Sequence, residues 1–340
     1  GDSWQKVLGG NGVPNWMYDI HLNARGELIV SNRTSVHRSV SGDIGDWEDI
    51  GATSPGFPTG VTRVEVTVAK TNPNIMYIVC SLGGAGSAIY RTTDAGATWV
   101  RRGQPTNGDF TNGQAWYDLD IAVDPYNEQH LIVGGVPIYR SLDGGVSWNR
   151  FAFNMHVDQH IILFDEQQPG LVYFGNDGGI YYSTNGSAAS VNDRNQGYNV
   201  TQFYAGAIHP DTFSNYILGG TQDNNSLQLN DFGVTSARSV NVGDSFYCHI
   251  DEDDTNIQLV SSQFGNYALS LDGGKNFSSG ASVNGRFSNP SDYDSKENIL
   301  YAQTNDGDLY RWRVLVGSPQ LIDVKNFDAN ADGVSIVQLD

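Results

Sequence analysis

The stretch RSLDGGVSW, residues 140–148, decides the fold of this chain. The carboxylate of Asp143 can accept hydrogen bonds from backbone N–H groups of its own turn. Gly145 can adopt a positive φ without strain, and Trp148 can pack back beneath the turn. The stretch therefore predicts a hairpin between two β-strands and, taken alone, contains nothing catalytic.

The same pattern recurs along the chain, which favours a structural role over a site. Residues 92–99 and 270–277 share the form Ser/Thr-x-Asp-x-Gly-x-x-Trp/Phe, and residues 183–187 hold a weaker copy with Asn185 in place of Asp. We call the copies at 92–99, 141–148 and 270–277 the Asp-Gly turns. Their predicted structural residues are Asp94, Gly96, Trp99, Asp143, Gly145, Trp148, Asp272, Gly274 and Phe277.

A second repeat consists of an apolar strand, a short polar turn and another apolar strand. The turns fall near Asn23, Thr71, Asp124, Asp165, His209, Asp251 and Asp294. Their spacing of 41 to 53 residues matches the propeller period of about 40–50 residues, with one four-stranded blade per repeat. The sequence predicts an all-β propeller of seven or eight four-stranded blades.

The two ends of the sequence lead to an expectation about domains. Residues 334–340 have the pattern of a further inner strand, and residues 4–8 have that of an outer strand. We expect one propeller domain over 1–340, with both ends contributing strands to a shared blade. We also expect the chain to be a fragment of a larger protein, with other domains of the same chain as partners.

Composition excludes some function classes. The chain has 340 residues and a net charge of −19, which argues against nucleic acid as a partner because phosphates need a basic surface. It contains no apolar run of 18 residues, so no membrane span is expected. The acidic balance favours a secreted or cell-surface protein, and Cys80 and Cys248 are expected to be buried free thiols.

The Asp-Gly turns give the chain a family resemblance. It resembles the Asp-box (BNR-repeat) β-propellers, the group that includes sialidases, xyloglucanases and sortilin-type receptor domains. It is most similar to secreted or cell-surface Asp-box proteins of Bacteroidota, which have segments like 156–165, 174–183 and 218–226. The resemblance implies the fold. It does not imply an activity, because function depends on sites added to the fold.

The sharpest candidate site is His156-Val-Asp158-Gln-His160. Alternate residues of a strand share a face, so these three side chains are expected to point the same way at the start of an inner strand. Two imidazoles and a carboxylate suit a divalent metal or an acid–base pair. The interpretation that we prefer is a hydrogen-bonded polar cluster that joins the inner strands to a neighbouring blade.

Other inner strands place aromatic and polar residues near the predicted channel mouth. Such a ring would suit sugar hydroxyls and sugar rings. The predicted ligand-binding residues are Tyr117, Asp120, His156, His160, Tyr204, Tyr247 and His249. Asp118 and Asp158 are the best pair for glycoside hydrolysis, which needs two carboxylates. The interpretation that we prefer for these acids is that they cap turns and strand ends.

Two further patterns bear on ligands. Asp328, Asn330 and Asp332 form a DxNxDG sequence typical of a calcium loop, although Leu339 occupies the twelfth position, where a complete loop has an acid. Ca²⁺ is therefore the one cofactor that the sequence suggests. No set of three arginines suits a sialidase, whose substrate carboxylate needs guanidinium partners.

These observations lead to one functional expectation and one alternative. We expect a non-catalytic binding or adhesion module that recognises a glycan or a protein at one propeller face. The alternative is a glycoside hydrolase that acts on a polysaccharide through channel-facing carboxylates.

Overall fold

The computed structural model describes residues 4–9, 16–106, 108–198, 201–231, 237–241, 243–315 and 320–322. These residues form seven four-stranded antiparallel sheets, each in simple chain order. The chain is therefore an all-β propeller with one sheet per blade, as the sequence predicts. It consists of two compact units, residues 1–198 and 199–340. No helix in this described part is long and apolar enough to cross a membrane.

The first unit contains blades 1 to 4. Its strands are β1 (Met17–Leu22), β2 (Leu28–Asn32), β3 (Val36–Ser39), β4 (Trp47–Asp49), β5 (Arg63–Val68), β6 (Met76–Ser81), β7 (Ser87–Thr92), β8 (Val100–Arg101), β9 (Asp120–Asp124), β10 (Asn127–Gly134), β11 (Ile138–Ser141), β12 (Asn149–Arg150), β13 (Gln159–Phe164), β14 (Val172–Asn176), β15 (Gly179–Ser183) and β16 (Val191–Asp193). Short 3₁₀ turns occur at Gly83–Ala85 and Ala188–Ser190.

The second unit contains blades 5 to 7. Its strands are β17 (Phe203–Ile208), β18 (Ile217–Thr221), β19 (Ser226–Leu229), β20 (Arg238–Asn241), β21 (Ser245–Ile250), β22 (Gln258–Ser262), β23 (Asn266–Ser270), β24 (Ser278–Ser282), β25 (Ser291–Asp294), β26 (Ile299–Gln303), β27 (Leu309–Arg313) and β28 (Gln320–Ile322). A 3₁₀ turn occurs at Gln263–Gly265. The predicted strand at 334–340 lies outside the described residues, so the shared terminal blade stays a prediction.

Within each unit, neighbouring blades pack through the sheet faces. The first strands of successive blades contact one another, β1 with β5, β5 with β9 and β9 with β13 in the first unit. Each pair of blades encloses its own apolar cluster, such as Val79, Ile89 and Leu131 between blades 2 and 3. Burying one such side chain contributes about 1.5–3 kcal/mol, so a blade is stable only against its neighbour. Cys80 and Cys248 are buried and unpaired.

The first strands of four blades carry an irregularity near their start. In β1, β13 and β17 one extra residue opposes the second strand, and these residues are Tyr18, His160 and Tyr204. A similar shift lies between Ser245 and Cys248 in β21. Such bulges re-aim side chains and often lie beside functional sites.

The Asp-Gly turns share one set of hydrogen bonds. Asp143 accepts from the Ser141 hydroxyl at 2.7 Å and from the Ser147 backbone N–H at 2.9 Å. Gly145 has a φ of 82°, which a side chain would strain. Asp94 and Asp272 accept the equivalent bonds in their own turns. The carboxylate thus replaces water as the acceptor for its turn.

The aromatic residue of each Asp-Gly turn in the first unit binds the preceding blade. The Trp99 indole N–H donates to Ile50 O at 2.8 Å, and the Trp148 indole donates to Gly103 O at 3.0 Å. Trp99 is only 3% exposed. The turn therefore fixes a hairpin and also attaches one blade to the next.

Polar side chains on the first strands also connect blades. The Val123 N–H donates to Thr67 Oγ1, and the Ile162 N–H donates to Asp120 Oδ2 at 2.5 Å. Arg63 donates to Tyr117 O at 2.9 Å and Leu119 O at 3.0 Å. Because these first strands do not form a ladder with one another, side chains satisfy backbone groups that would otherwise lack partners.

We predict that Asp143→Ala lowers the free energy of unfolding by about 1–2 kcal/mol at pH 7, as loss of a side-chain cap does. Hydrogen bonds from Ser147 hold the pKa of Asp143 down to about 2. This stability is present above the ordinary aspartate pKa near 4 and is lost as pH falls towards 2. The effect is modest because the carboxylate is exposed to solvent.

Chemical denaturation at pH 7 and pH 2.5 measures this difference. Asp43→Ala is the matched control, because the exposed Asp43 carboxylate makes no hydrogen bond or ion pair with the described residues. Equal stability of the two variants at pH 7 would contradict the assigned role of the turn.

Candidate functional site

The loop before β9 supplies the most chemically distinctive group of side chains. Asp109 anchors its beginning by accepting from the Ser87 hydroxyl at 2.9 Å and the Gly113 N–H at 2.9 Å. A turn follows in which the backbone N–H groups of Tyr117 and Asp118 both donate to Gln114 O. Together with the Arg63 bonds described above, these contacts hold residues 116–118 in one conformation.

Asp177, in the turn between β14 and β15, is the centre of this group. Its Oδ1 accepts from His160 Nε2 at 2.6 Å, and its Oδ2 accepts from the Tyr117 hydroxyl at 2.9 Å. The rings of Tyr117 and His160 meet edge to face, with centroids 4.7 Å apart. Residues from two neighbouring blades therefore form one rigid cluster.

Two further acids lie beside Asp177. Asp158 Oδ1 accepts from the Gln114 side-chain amide at 3.2 Å, and carboxylate oxygens of Asp158 and Asp177 approach within 4.8 Å. Asp118 has 0% exposed surface, and no donor among the described residues reaches either of its carboxyl oxygens. A buried carboxylate without donors is costly, so Asp118 is expected to hold its proton and to share it with Asp158.

The pKa shifts agree with this geometry. Burial, with the nearby Asp158 carboxylate, raises the pKa of Asp118 to about 8. Burial and the charge of Asp177 also raise the pKa of Asp158. The hydrogen bond to Asp177 raises the pKa of His160, because the carboxylate favours the charged imidazolium.

Trp116 provides an exposed aromatic surface at the same place. Its indole is 74% exposed and lies 5.5 Å, centroid to centroid, from the ring of Tyr117. We call Trp116, Tyr117, Asp158, His160 and Asp177 the Trp116 site. Large exposed aromatic rings next to fixed polar groups are typical of binding surfaces.

Residues 156–160 do not form the continuous strand that the sequence predicts. Strand β13 begins only at Gln159, Asp158 has a φ of 63°, and His160 is the extra residue of the bulge. The simple alternation of side chains therefore does not apply. His160 and Asp158 lie in the Trp116 site, and the imidazole Nδ1 of His156 lies 3.1 Å from Val157 O.

The same residues bear on metal binding. Asp158 and Asp177 could each offer a carboxylate oxygen to a cation. Both already accept hydrogen bonds, from Gln114 and from Tyr117 and His160. An ionised carboxylate has about four lone-pair sites, so a cation would share these oxygens with the donors that they already accept.

Asp120, another predicted ligand-binding residue, belongs to a separate acidic row on the first strands. This row contains Asp19, Glu65 and Asp120. Burial raises the pKa of Glu65 to about 8 against the effect of its ion pair with Arg63. Burial and the charge of Asp19 raise the pKa of Asp120 to about 7. Both Asp120 oxygens accept backbone N–H groups, from Ile121 and Ile162, so its oxygens are already used within the fold.

The remaining predicted residues lie in the second unit or outside the described part. The Tyr204 hydroxyl donates to Gln222 Oε1 at 2.7 Å, and Tyr247 is half-buried on β21. His249 contacts the Ser291 hydroxyl at 3.0 Å, and burial lowers its pKa to about 4. The calcium-loop residues Asp328, Asn330 and Asp332 lie outside the described residues, so Ca²⁺ binding stays a prediction.

Sequence analysis missed Trp116, Asp177 and Gln114 as members of the site. The available signals were a tryptophan outside any Asp-Gly turn, in a loop rich in Gly, Thr and Asn, and the Asn-Asp-Gly-Gly sequence at 176–179. Neither pattern by itself indicates that the two segments meet.

Comparisons with known proteins find remote likenesses to solved structures only. No protein-family model and no curated protein matches the chain. A GH74 enzyme from Niastella koreensis is 16% identical with a TM-score of 0.44, and the match covers 89% of this chain and 53% of that one. YCF48 bound to a D1 peptide is 12% identical with a TM-score of 0.38, covering 87% of this chain and 94% of that one.

A GH74 xyloglucanase from Xanthomonas campestris is 15% identical with a TM-score of 0.31, and the match covers 97% of this chain and 59% of that one. This chain thus spans about half the length of the GH74 enzymes that it resembles. Identities this low do not assign an activity.

We predict that Asp118→Asn reduces the pH dependence of stability. The folded pKa of about 8 lies above the ordinary value near 4, so the folded state keeps a proton that the unfolded state releases. The free energy of unfolding therefore falls as pH rises from about 4 to about 8, with a slope of at most about 1.4 kcal/mol per pH unit for this group. Asparagine has the shape of the neutral acid and carries no such proton.

Denaturation at pH 5, 7 and 9 tests this, with Asp43→Asn as the control. The Asp118 variant should keep the contributions of Glu65 and Asp120, whose pKa values are raised in the same direction, so its slope should become smaller without reaching zero. An unchanged slope in the Asp118 variant would show that this residue is ionised in the folded protein at neutral pH.

Proposed function

We propose that the chain is a non-catalytic binding module whose ligand is a glycan held at the Trp116 site. The observation that supports this most directly is the pairing of an exposed indole with fixed polar groups. Trp116 is 74% exposed, whereas Tyr117, His160 and Asp177 are fixed by hydrogen bonds to one another. The proposed location is outside the cell or on its surface, where polysaccharides are accessible.

The chemistry of this surface suits a sugar ring. The C–H face of a pyranose can pack on an indole, and its hydroxyl groups need donors and acceptors at the rim. Asp158, Asp177 and His160 supply both kinds of group. A few polar groups with fixed positions beside an apolar surface give a binding site its orientation and specificity. Because hydrogen bonds already hold these side chains, little ordering is needed on binding.

A glycoside hydrolase remains the second candidate, and one observation favours it. Asp118 holds a proton near neutral pH and lies next to Asp158, which is the protonation pattern of an acid–base pair. Exposure argues against it, because Asp118 has no exposed surface. A general acid must come within hydrogen-bond distance of the oxygen that it protonates.

We predict that Trp116→Ala weakens glycan binding at least about tenfold, the loss expected when an aromatic anchor worth about 1.4 kcal/mol or more is removed. A glycan array identifies a ligand, and calorimetry with that glycan measures the affinity. Trp4→Ala is the matched control, because Trp4 is 95% exposed and makes no ring contact with the described residues. Equal affinities of the two variants, or a ligand that proves to be a protein, would refute the proposal.

A reducing-sugar release assay separates binding from hydrolysis. We predict no release from any polysaccharide that the array identifies, because Asp118, whose raised pKa suits a general acid, is buried and the carboxylate of Asp177 is held by hydrogen bonds from Tyr117 and His160. Release that is abolished in Asp158→Asn and retained in Asp43→Asn would establish the hydrolase instead.

A further inference from the structure

A cavity in the second unit is lined by positively charged side chains, although the chain as a whole is acidic. It has a volume of about 410 Å³ and lies between blades 5 and 6, beside the Asp-Gly turn at 270–277. Its walls include His209, Tyr216, Gln228, Arg238 and Lys275. The volume is within the range of small-molecule sites.

The cavity is cationic within an acidic protein. Arg238 and Lys275 line it, and none of the described residues in its wall is Asp or Glu, although the chain has a net charge of −19. Neither residue takes part in an ion pair among the described residues. Two cations that share one concave wall attract an anionic group.

The guanidinium of Arg238 is held in place by neutral acceptors. Its Nε and Nη2 donate to Gln228 Oε1 at 2.8 and 2.6 Å, and its Nη1 donates to Lys275 O at 3.2 Å. Gln228 is in turn fixed by Tyr216, since its amide donates to the Tyr216 hydroxyl at 2.7 Å. These bonds orient the guanidinium and leave its charge without a counter-ion.

The first unit shows how the equivalent cations are neutralised or covered elsewhere. Arg38 of blade 1 pairs across the strands with Glu48, and their charged groups lie 2.6 Å apart. Arg91 and Arg140, at the same strand position in blades 2 and 3, lie over the rings of Tyr77 and Phe151.

In blade 5 the arginine has neither an acidic partner, as in blade 1, nor an aromatic ring, as in blades 2 and 3, among the described residues. Gln228 occupies the third-strand position, and Arg238 lies opposite it on the fourth strand. The charge of Arg238 is therefore available to a ligand.

The other walls supply partners for hydroxyl groups. Ser214, Asn230 and Thr255 line the cavity with neutral donors and acceptors. The rings of His209 and Tyr216 meet edge to face, 6.0 Å between centroids. A ligand with one anionic group and several hydroxyl groups matches this arrangement better than a simple anion or a neutral sugar.

We propose that this cavity binds an anionic monosaccharide unit, a hexuronic acid whose carboxylate lies between Arg238 and Lys275. The site is separate from the Trp116 site and does not require the function proposed for it. Its selectivity is for charge, and it would let the chain discriminate acidic from neutral polysaccharides.

Calorimetry on the full chain with glucuronate, glucose and acetate tests the proposal. We expect glucuronate to bind at least about tenfold more tightly than either glucose or acetate. We also expect its affinity to fall as ionic strength rises, because screening weakens the charge interaction. Glucose binding as tightly as glucuronate would refute the charge selectivity, and acetate binding as tightly would leave a site for small free anions only.

Matched variants locate the site. Lys275→Gln should weaken glucuronate binding about fivefold or more, whereas Lys296→Gln, the same charge change elsewhere in the second unit, should have no effect. Equal behaviour of the two variants would overturn the proposal. Trp116→Ala should leave glucuronate binding unchanged, so failure of this site and failure of the Trp116 site are distinguishable.

Discussion

Hydrogen bonds from side chains to the backbone of a neighbouring blade are the interaction on which this structure depends. Each sheet pairs only within itself, so the edges of its first strand have N–H and C=O groups without ladder partners. Thr67 and Asp120 satisfy such groups on the next blade, and Arg63 bonds to carbonyls in the loop that leads into the next blade. Trp99 and Trp148 of the Asp-Gly turns bond to carbonyls that follow the fourth strand of the preceding blade. Leaving one such group buried and unpaired costs about 1–3 kcal/mol.

This requirement decides which polar side chains remain for ligands. Asp120 and Arg63 have the residue types expected of a site, yet their polar atoms are used to join blades. The groups of the Trp116 site differ because Tyr117, His160 and Asp177 bond to one another through side chains. Side chains that bond to one another are held in place without being needed by a backbone group. Their outward-facing atoms are therefore available to a ligand.

The fold was predictable from the sequence because its determinants are local. An Asp-Gly turn needs only the eight residues of its own hairpin, and the blade period follows from the strand pattern. The site was harder to predict because its determinants are not local. His160 is displaced by a bulge that depends on the pairing of β13 with β14, and Trp116 and Asp177 come from segments with no shared pattern. Asp118 is too buried to act as a catalytic acid. Its burial depends on all the residues that surround it in the fold, so the sequence pattern does not reveal it.

Comparing the same position in different blades therefore says more about function than asking only whether a residue is repeated. A repeated position can be filled in several ways, as an arginine paired with an acid in blade 1 or covered by an aromatic ring in blades 2 and 3. In each of these blades the guanidinium has an acidic or an aromatic partner. Blade 5 has Gln228 at this position and carries the cation opposite it, as Arg238 on the fourth strand. Arg238 still joins blades 5 and 6 through Lys275 O. Because it has no acid and no aromatic ring beside it among the described residues, it can also attract an anion.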